Sequence, residues 1–170
     1  MTRIILMALL LVTGCTSAPE GVEPVRSFEL ERYLGTWYEV ARLDHSFERG
    51  LRDVTADYSM REDGGIHVIN RGVREDTGEV SEAIGRAYPV GQPSVAHLKV
   101  SFFGPFFGAY VVFELDAEYR YAFVSGPNRD YLWLLARTPQ VSEAVMTRFR
   151  QRATELGFRL DGLIVNSDGH

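Results

Sequence analysis

The chain has 170 residues, 45% of them hydrophobic and 24% charged, with a formal net charge of −5. That length and apolar content suit one domain with a real core once a short leader is set aside. Nearly all the positive charge is scattered arginine, with Lys99 the sole lysine, so no basic stripe exists to grip nucleic acid and that class of partner is excluded.

The chain opens with Arg3, an uncharged apolar run over residues 4–12, and Val12-Thr13-Gly14 directly before Cys15, the only cysteine. The run is too short to cross a hydrocarbon core, which needs about 20 apolar residues. It has the layout of a secretory signal peptide. With the thiol at the cleavage point it resembles the lipobox of bacterial lipoproteins. That resemblance implies loss of residues 1–14, acylation of Cys15 and attachment to a membrane. Removing Arg3 takes the charge from −5 to −6. Thr16 stands where an aspartate would signal inner-membrane retention, so the resemblance implies the cell outer membrane, with the protein lipid-anchored. Once Cys15 is acylated no thiol remains for a disulfide, and the fold must hold by burial. Residues 15–27, with Pro19, Gly21 and Pro24 and little to bury, read as the acylated cysteine and a tether, leaving 28–170 as the domain.

From Phe28 onward, short segments of alternating apolar and polar residues recur about every ten residues, the pattern of an all-β barrel or sandwich. Strands are predicted over 36–43, 54–60, 66–71, 79–88, 96–102, 110–115, 121–125 and 131–137. Glu62-Asp63-Gly64-Gly65 and Glu75-Asp76-Thr77-Gly78 supply hairpin turns, and Gly104-Pro105 a break. The fifth strand alternates most cleanly, with Ala96, Leu98, Val100 and Phe102 opposed to His97, Lys99 and Ser101. Eight sequential strands joined by tight turns favour an antiparallel up-and-down meander. One external helix follows, from an N-cap at Ser142 to a stop at Gly157, with Val145, Phe149, Ala153 and Leu156 on its apolar side. A short ninth strand covers 163–165. Histidines at 45, 67, 97 and 170 lack metal-ligand spacing, and no nucleophile elbow or phosphate loop is present, so neither cofactor nor catalysis is expected.

Four motifs carry a family resemblance. Tyr33-Leu34-Gly35-Thr36-Trp37-Tyr38-Glu39 resembles the Gly-x-Trp signature that opens lipocalins, and the stretch from Tyr131 to Arg137 resembles their late motif ending in arginine. The segments 44–50 and 99–106 are similar to the bacterial outer-membrane lipocalins, which are related to apolipoprotein D. The resemblance implies an eight-stranded lipocalin barrel with a ligand cavity, taking lysophospholipids or fatty acids, and a homodimer as a further possibility. It also implies that Gly35, Trp37 and Arg137 close the base, with the guanidinium over the indole.

Strand parity then places Trp133 and Tyr131 inward beside Arg137. Tyr58 and Asn70 fall on the inward faces of their strands and match pocket-lining positions in the family. Val68, Leu98, Val100 and Tyr110 complete the expected ligand-binding wall. Tyr58, Asn70 and Tyr131 are expected to offer hydrogen bonds, and Arg49, Arg52 or Arg71 to meet an anionic head group. An inward Glu114 would repel such a head. Phe103, Phe106 and Phe107 read as an exposed patch near the cavity entrance. Two other readings stay open, a lipocalin-type enzyme acting on a lipophilic substrate and a solidly packed barrel that binds only proteins.

Overall fold

Strand alternation becomes a closed surface in the computed structural model, which describes residues 16–166. The expected signal segment and Cys15 lie outside the described residues. Eight antiparallel strands, β1 (Gly35–Leu43), β2 (Leu51–Met60), β3 (Ile66–Arg74), β4 (Val80–Pro89), β5 (His97–Phe103), β6 (Phe106–Leu115), β7 (Tyr121–Ser125) and β8 (Leu132–Ala136), pair each with the next. β8 returns to β1, which also pairs with β2, and the barrel is shut. A ninth strand, β9 (Leu163–Val165), joins β1 from outside the ring. This is the antiparallel up-and-down barrel that the strand spacing and tight turns favour.

The helix α2 (Glu143–Glu155) forms between its predicted signals: the Ser142 hydroxyl accepts from Val145 N, and Gly157 takes a φ of +83° that other residues rarely adopt. Phe149 and Ala153 are fully buried against the outer wall, where Phe113, Phe123, Leu132 and Leu134 form one core layer. Trp37, Val112, Val124 and Leu135 form the inner core near the base, and Ile66, Val68, Ala87 and Leu98 line the facing wall.

Several boundaries differ from the pattern, each for a local reason. β2 starts at Leu51, ahead of Val54, because a register shift between Arg52 and Thr55, with Asp53 at a φ of +52°, interrupts the alternation. β6 starts at Phe106, since Gly104-Pro105 forms a tight hairpin turn that lets Phe106 pair with Phe103. Tyr131 precedes β8. A short helix, α1 (Leu30–Tyr33), too brief to leave a periodic signal, precedes β1.

Residues 16–27 also depart from the tether reading, because they have more to bury than their composition suggests. Val22 is buried, Val25 N donates to Val112 O at 2.9 Å, and Ala96 N donates to Val25 O at 2.9 Å. The segment lies along the barrel as an added strand-like edge.

Candidate ligand cavity

The base is built first. Gly35 sits at a φ of +93°, which L side chains rarely adopt, while a Cβ there would meet Arg137 Nη1 at 3.5 Å, ordinary contact, so it is the backbone turn that calls for glycine. The Arg137 guanidinium carbon stands 3.9 Å from the Trp37 ring centroid, and its nitrogens donate to the carbonyls of Thr36, Arg32 and Tyr119. Trp37 Nε1 donates to Tyr33 O at 2.8 Å. One cation thus ties α1, β1 and the β6–β7 turn together under the indole.

Above that plug lies a layer of three tyrosines. Tyr110 Oη is 2.7 Å from Tyr33 Oη and 2.9 Å from Tyr58 Oη, and the Tyr33 ring stacks between Trp37 and Tyr58. Burial pushes all three phenols upward in pKa, so they stay neutral and bond to one another. Two bonds among three hydroxyls leave one O–H donor of the layer unused, so this arrangement is compatible with the expectation that Tyr58 offers a ligand a hydrogen bond.

Over this floor the barrel encloses a cavity of about 400 Å³, within the range of small-molecule sites. The solid-barrel reading is therefore wrong. All eight residues expected on the inner wall, Tyr58, Val68, Asn70, Leu98, Val100, Tyr110, Tyr131 and Trp133, line it. Phe47, Phe103 and Phe106 also line it while being 41%, 70% and 78% exposed, which locates the opening. Phe107 differs from expectation: it is half-buried, beneath the cations of Arg86 and Lys99.

The expected anion-binding arginines do not face the cavity. Arg49 pairs with Asp44, Arg52 with Asp53, and Arg71 with both Asp57 and Glu82. Glu114 also faces away. A bulge between Val112 and Glu114 turns Phe113 and Glu114 both outward, where Glu114 pairs with Arg148 and Arg152 of α2.

Sequence reasoning missed a buried polar cluster in the wall: Glu39, Arg42, His45 and Glu48. A bulge between Glu39 and Ala41 turns Val40 and Ala41 outward and leaves Glu39 and Arg42 on the same inner side, where Arg42 Nη1 donates to Glu39 Oε1 at 2.6 Å. Arg42 Nη2 donates to the carbonyls of Glu48 and Leu51, pinning the loop after β1. Successive turns in that loop set His45 and Glu48 side by side, with Nε2 3.0 Å from Glu48 Oε2, and Trp133 Nε1 donates to the same oxygen at 3.0 Å. The Glu39 parity with Trp37 was readable; the bulge hid Arg42, and the loop has no periodicity to place the other two.

The two carboxyls divide their roles. Burial, then the charge of Glu48, pushes Glu39 up to about 8 despite Arg42. Burial alone would raise Glu48 too, but contacts from His45 and Trp133, with the Glu39 proton, hold it below the usual range. Burial thus favours the protonated form of Glu39, and the contacts around Glu48 favour its ionised form. Among the described residues no group of His, Cys, Asp and Glu is arranged to hold a metal ion.

A family model described as a lipocalin-like domain matches residues 28–168. The chain is a lipocalin. This lipocalin is 58% identical over 161 residues to the outer membrane lipoprotein Blc of Vibrio cholerae, an alignment covering 94% of each chain. It is 54% identical over 159 residues to the outer membrane lipoprotein Blc of Escherichia coli K12, covering 92% of this chain and 90% of that protein. Bovine apolipoprotein D is 31% identical over 147 residues, covering 82% and 76%. Among solved structures, insecticyanin from the tobacco hornworm Manduca sexta superposes with a TM-score of 0.71 at 18% identity, over 92% of the lipocalin and 88% of that chain. That last likeness speaks for the fold alone.

Proposed function

We propose that this lipocalin is a non-catalytic lipid carrier, anchored at the cell outer membrane through an acylated Cys15, that stores or transports lysophospholipids or fatty acids for membrane maintenance. The observation that carries the reading is the cavity itself: about 400 Å³, sealed at the base by Trp37 and Arg137, walled mainly by aliphatic and aromatic side chains, and opening among phenylalanines. Each CH₂ of an acyl chain moved from water into such a wall contributes about 0.8 kcal/mol. Val68, Leu98, Val100 and Tyr110 are the proposed chain-contacting residues, with Tyr58 below and Asn70, Tyr131 and Trp133 above. The anchor and the location are supported by the lipobox-like segment and by the outer membrane lipoproteins of similar sequence.

Organic-solvent extraction of protein purified from membranes, followed by mass analysis, tests the reading. Co-purified single-chain lipid in near-stoichiometric amount is expected, together with a mature chain lacking residues 1–14 and carrying acyl mass on Cys15. A lipid-free protein that fails to take up added lysophospholipid overturns the carrier role. An unmodified chain starting at Met1 overturns the anchor.

A further inference from the structure

The carrier reading leaves open which polar end the cavity accepts, and the loop after β1 bears on that choice. Three ionisable groups besides tyrosine line the cavity, namely Glu39, His45 and Glu48, and no arginine or lysine is among the lining residues. Arg42 is 1% exposed and does not line the cavity; Nη1 is on Glu39 and Nη2 on two carbonyls, with Nε alone unpartnered. A lone carboxylate or phosphate set against Glu48 would meet a like charge with no lining arginine or lysine to offset it, so such a group is favoured only at the open mouth or beside a cation of its own.

Among the described residues four buried polar side-chain atoms lack a hydrogen-bond partner: Arg42 Nε, which is outside the cavity lining, and His45 Nδ1, His45 Nε2 and Asn70 Oδ1, which belong to lining residues. His45 is only 5% exposed, lines the cavity, and its Nδ1 has no hydrogen-bond partner among the described residues. Nε2 stands 3.0 Å from Glu48 Oε2, and the tautomer that places its proton there leaves Nδ1 as an acceptor. Asn70 Oδ1, a second acceptor in the wall, is likewise buried without a donor. Around the carboxylate stand rings: His45 lies 5.2 Å from Tyr131 and 5.3 Å from Trp133, and Tyr131 stacks on Trp133 at 6.1 Å. An anionic oxygen, a free acceptor nitrogen and aromatic faces together suit a group with several N–H donors and a positive charge.

We propose that the upper cavity is a site for the protonated amine of a single-chain lipid, held by the Glu48 carboxylate and His45 Nδ1 against Tyr131 and Trp133. The acyl chain then runs down toward the tyrosine layer. The inference rests on the carrier reading and narrows its ligand class. A simple long-chain amine and an ethanolamine lysophospholipid share the required chemistry.

Calorimetric titration of the delipidated protein below the lipids' micellar concentrations separates the cases. The probes are oleylamine, oleyl alcohol and oleate, which share one chain, and oleoyl lysophosphatidylethanolamine against its phosphoglycerol counterpart. Oleylamine is expected to bind at least tenfold more tightly than oleate, and Glu48→Gln, which keeps an acceptor for Trp133 without the charge, is expected to erase that difference. Ethanolamine lysophospholipid preferred over the glycerol form, with the same dependence on Glu48, assigns the amine to a phospholipid head; a preference confined to oleylamine assigns it to a simple amine. Equal binding of oleate and oleylamine, or a preference that survives Glu48→Gln in a folded variant, overturns the proposal while the carrier reading stands. Failure of all five to bind overturns both.

Discussion

Trp133 Nε1 donates to Glu48 Oε2 at 3.0 Å, so the one tryptophan in the cavity wall is wired to the carboxylate of the loop above it. The other tryptophan, Trp37, is fully buried in the base. A Trp37→Phe background therefore isolates a fluorophore that senses the cavity.

In that background, lysophospholipid or fatty acid should shift or quench Trp133 emission with saturable dependence. Trp133→Ala should weaken binding at least tenfold, about 1.4 kcal/mol, while leaving the strand content by circular dichroism unchanged. Saturable binding by calorimetry with a silent Trp133 and no loss in the alanine variant would place the ligand elsewhere.

The base plug should govern stability. Trp37→Ala is expected to cost about 3 to 5 kcal/mol, read as a lowered denaturant midpoint. Arg137→Ala should also lower the midpoint, because three carbonyls and the indole face lose their partner together. An Arg137→Ala protein unfolding at the wild-type midpoint would show that the cation carries no stability.

Glu39 should give the fold a specific pH dependence. Its folded pKa of about 8 lies above the ordinary 4.5, so between those values the folded chain keeps a proton that the unfolded chain has released. Stability from this group is therefore full below pH 4.5 and declines as the pH rises to 8. Glu48 acts in the opposite sense, but only below the usual carboxylate range. Glu39→Gln, which copies the protonated form, should flatten the decline. Denaturant midpoints at pH 5, 7 and 8.5 check it, and a wild-type slope retained in the variant assigns the dependence to another group.

Helix docking gives a fourth test. Phe149 is fully buried against Phe123 at a ring separation of 5.1 Å, and Phe149→Ala should cost about 3 to 5 kcal/mol. Glu114→Gln, which weakens two ion pairs reaching from the helix to the barrel, should cost about 1 kcal/mol or less because both arginines are part-exposed. Amide exchange across residues 143–155 would distinguish local release of the helix from global unfolding.

The barrel was legible because most strands alternate without interruption; β5 shows its inner face in Leu98, Val100 and Phe102 from residue type alone. The same parity put Trp133, Tyr58 and Asn70 on the cavity wall. Parity fails at bulges, where two neighbours turn the same way. That is why Glu114 left the cavity and why Arg42, next to two outward residues, entered the wall. The opposite shifts of Glu39 and Glu48 were illegible for a further reason: they join a strand to a loop, and only the folded environment makes two ordinary glutamates unlike. The docked path of residues 16–27 depends on single valines finding grooves, a match that no local pattern encodes.

The tyrosine layer sets a length limit. Tyr33 and Tyr58 both hydrogen-bond the central Tyr110 hydroxyl, and the layer rests on the Trp37–Arg137 plug, so packed rings close the floor. A ligand entering tail-first can lengthen only until its terminal methyl meets those rings. Affinity across a homologous series should then climb by about 0.8 kcal/mol per added CH₂ and stop abruptly, with every further carbon pushed back out among the phenylalanines. The floor works as a ruler, and the carbon number at the break reads the depth of the barrel from its lipids.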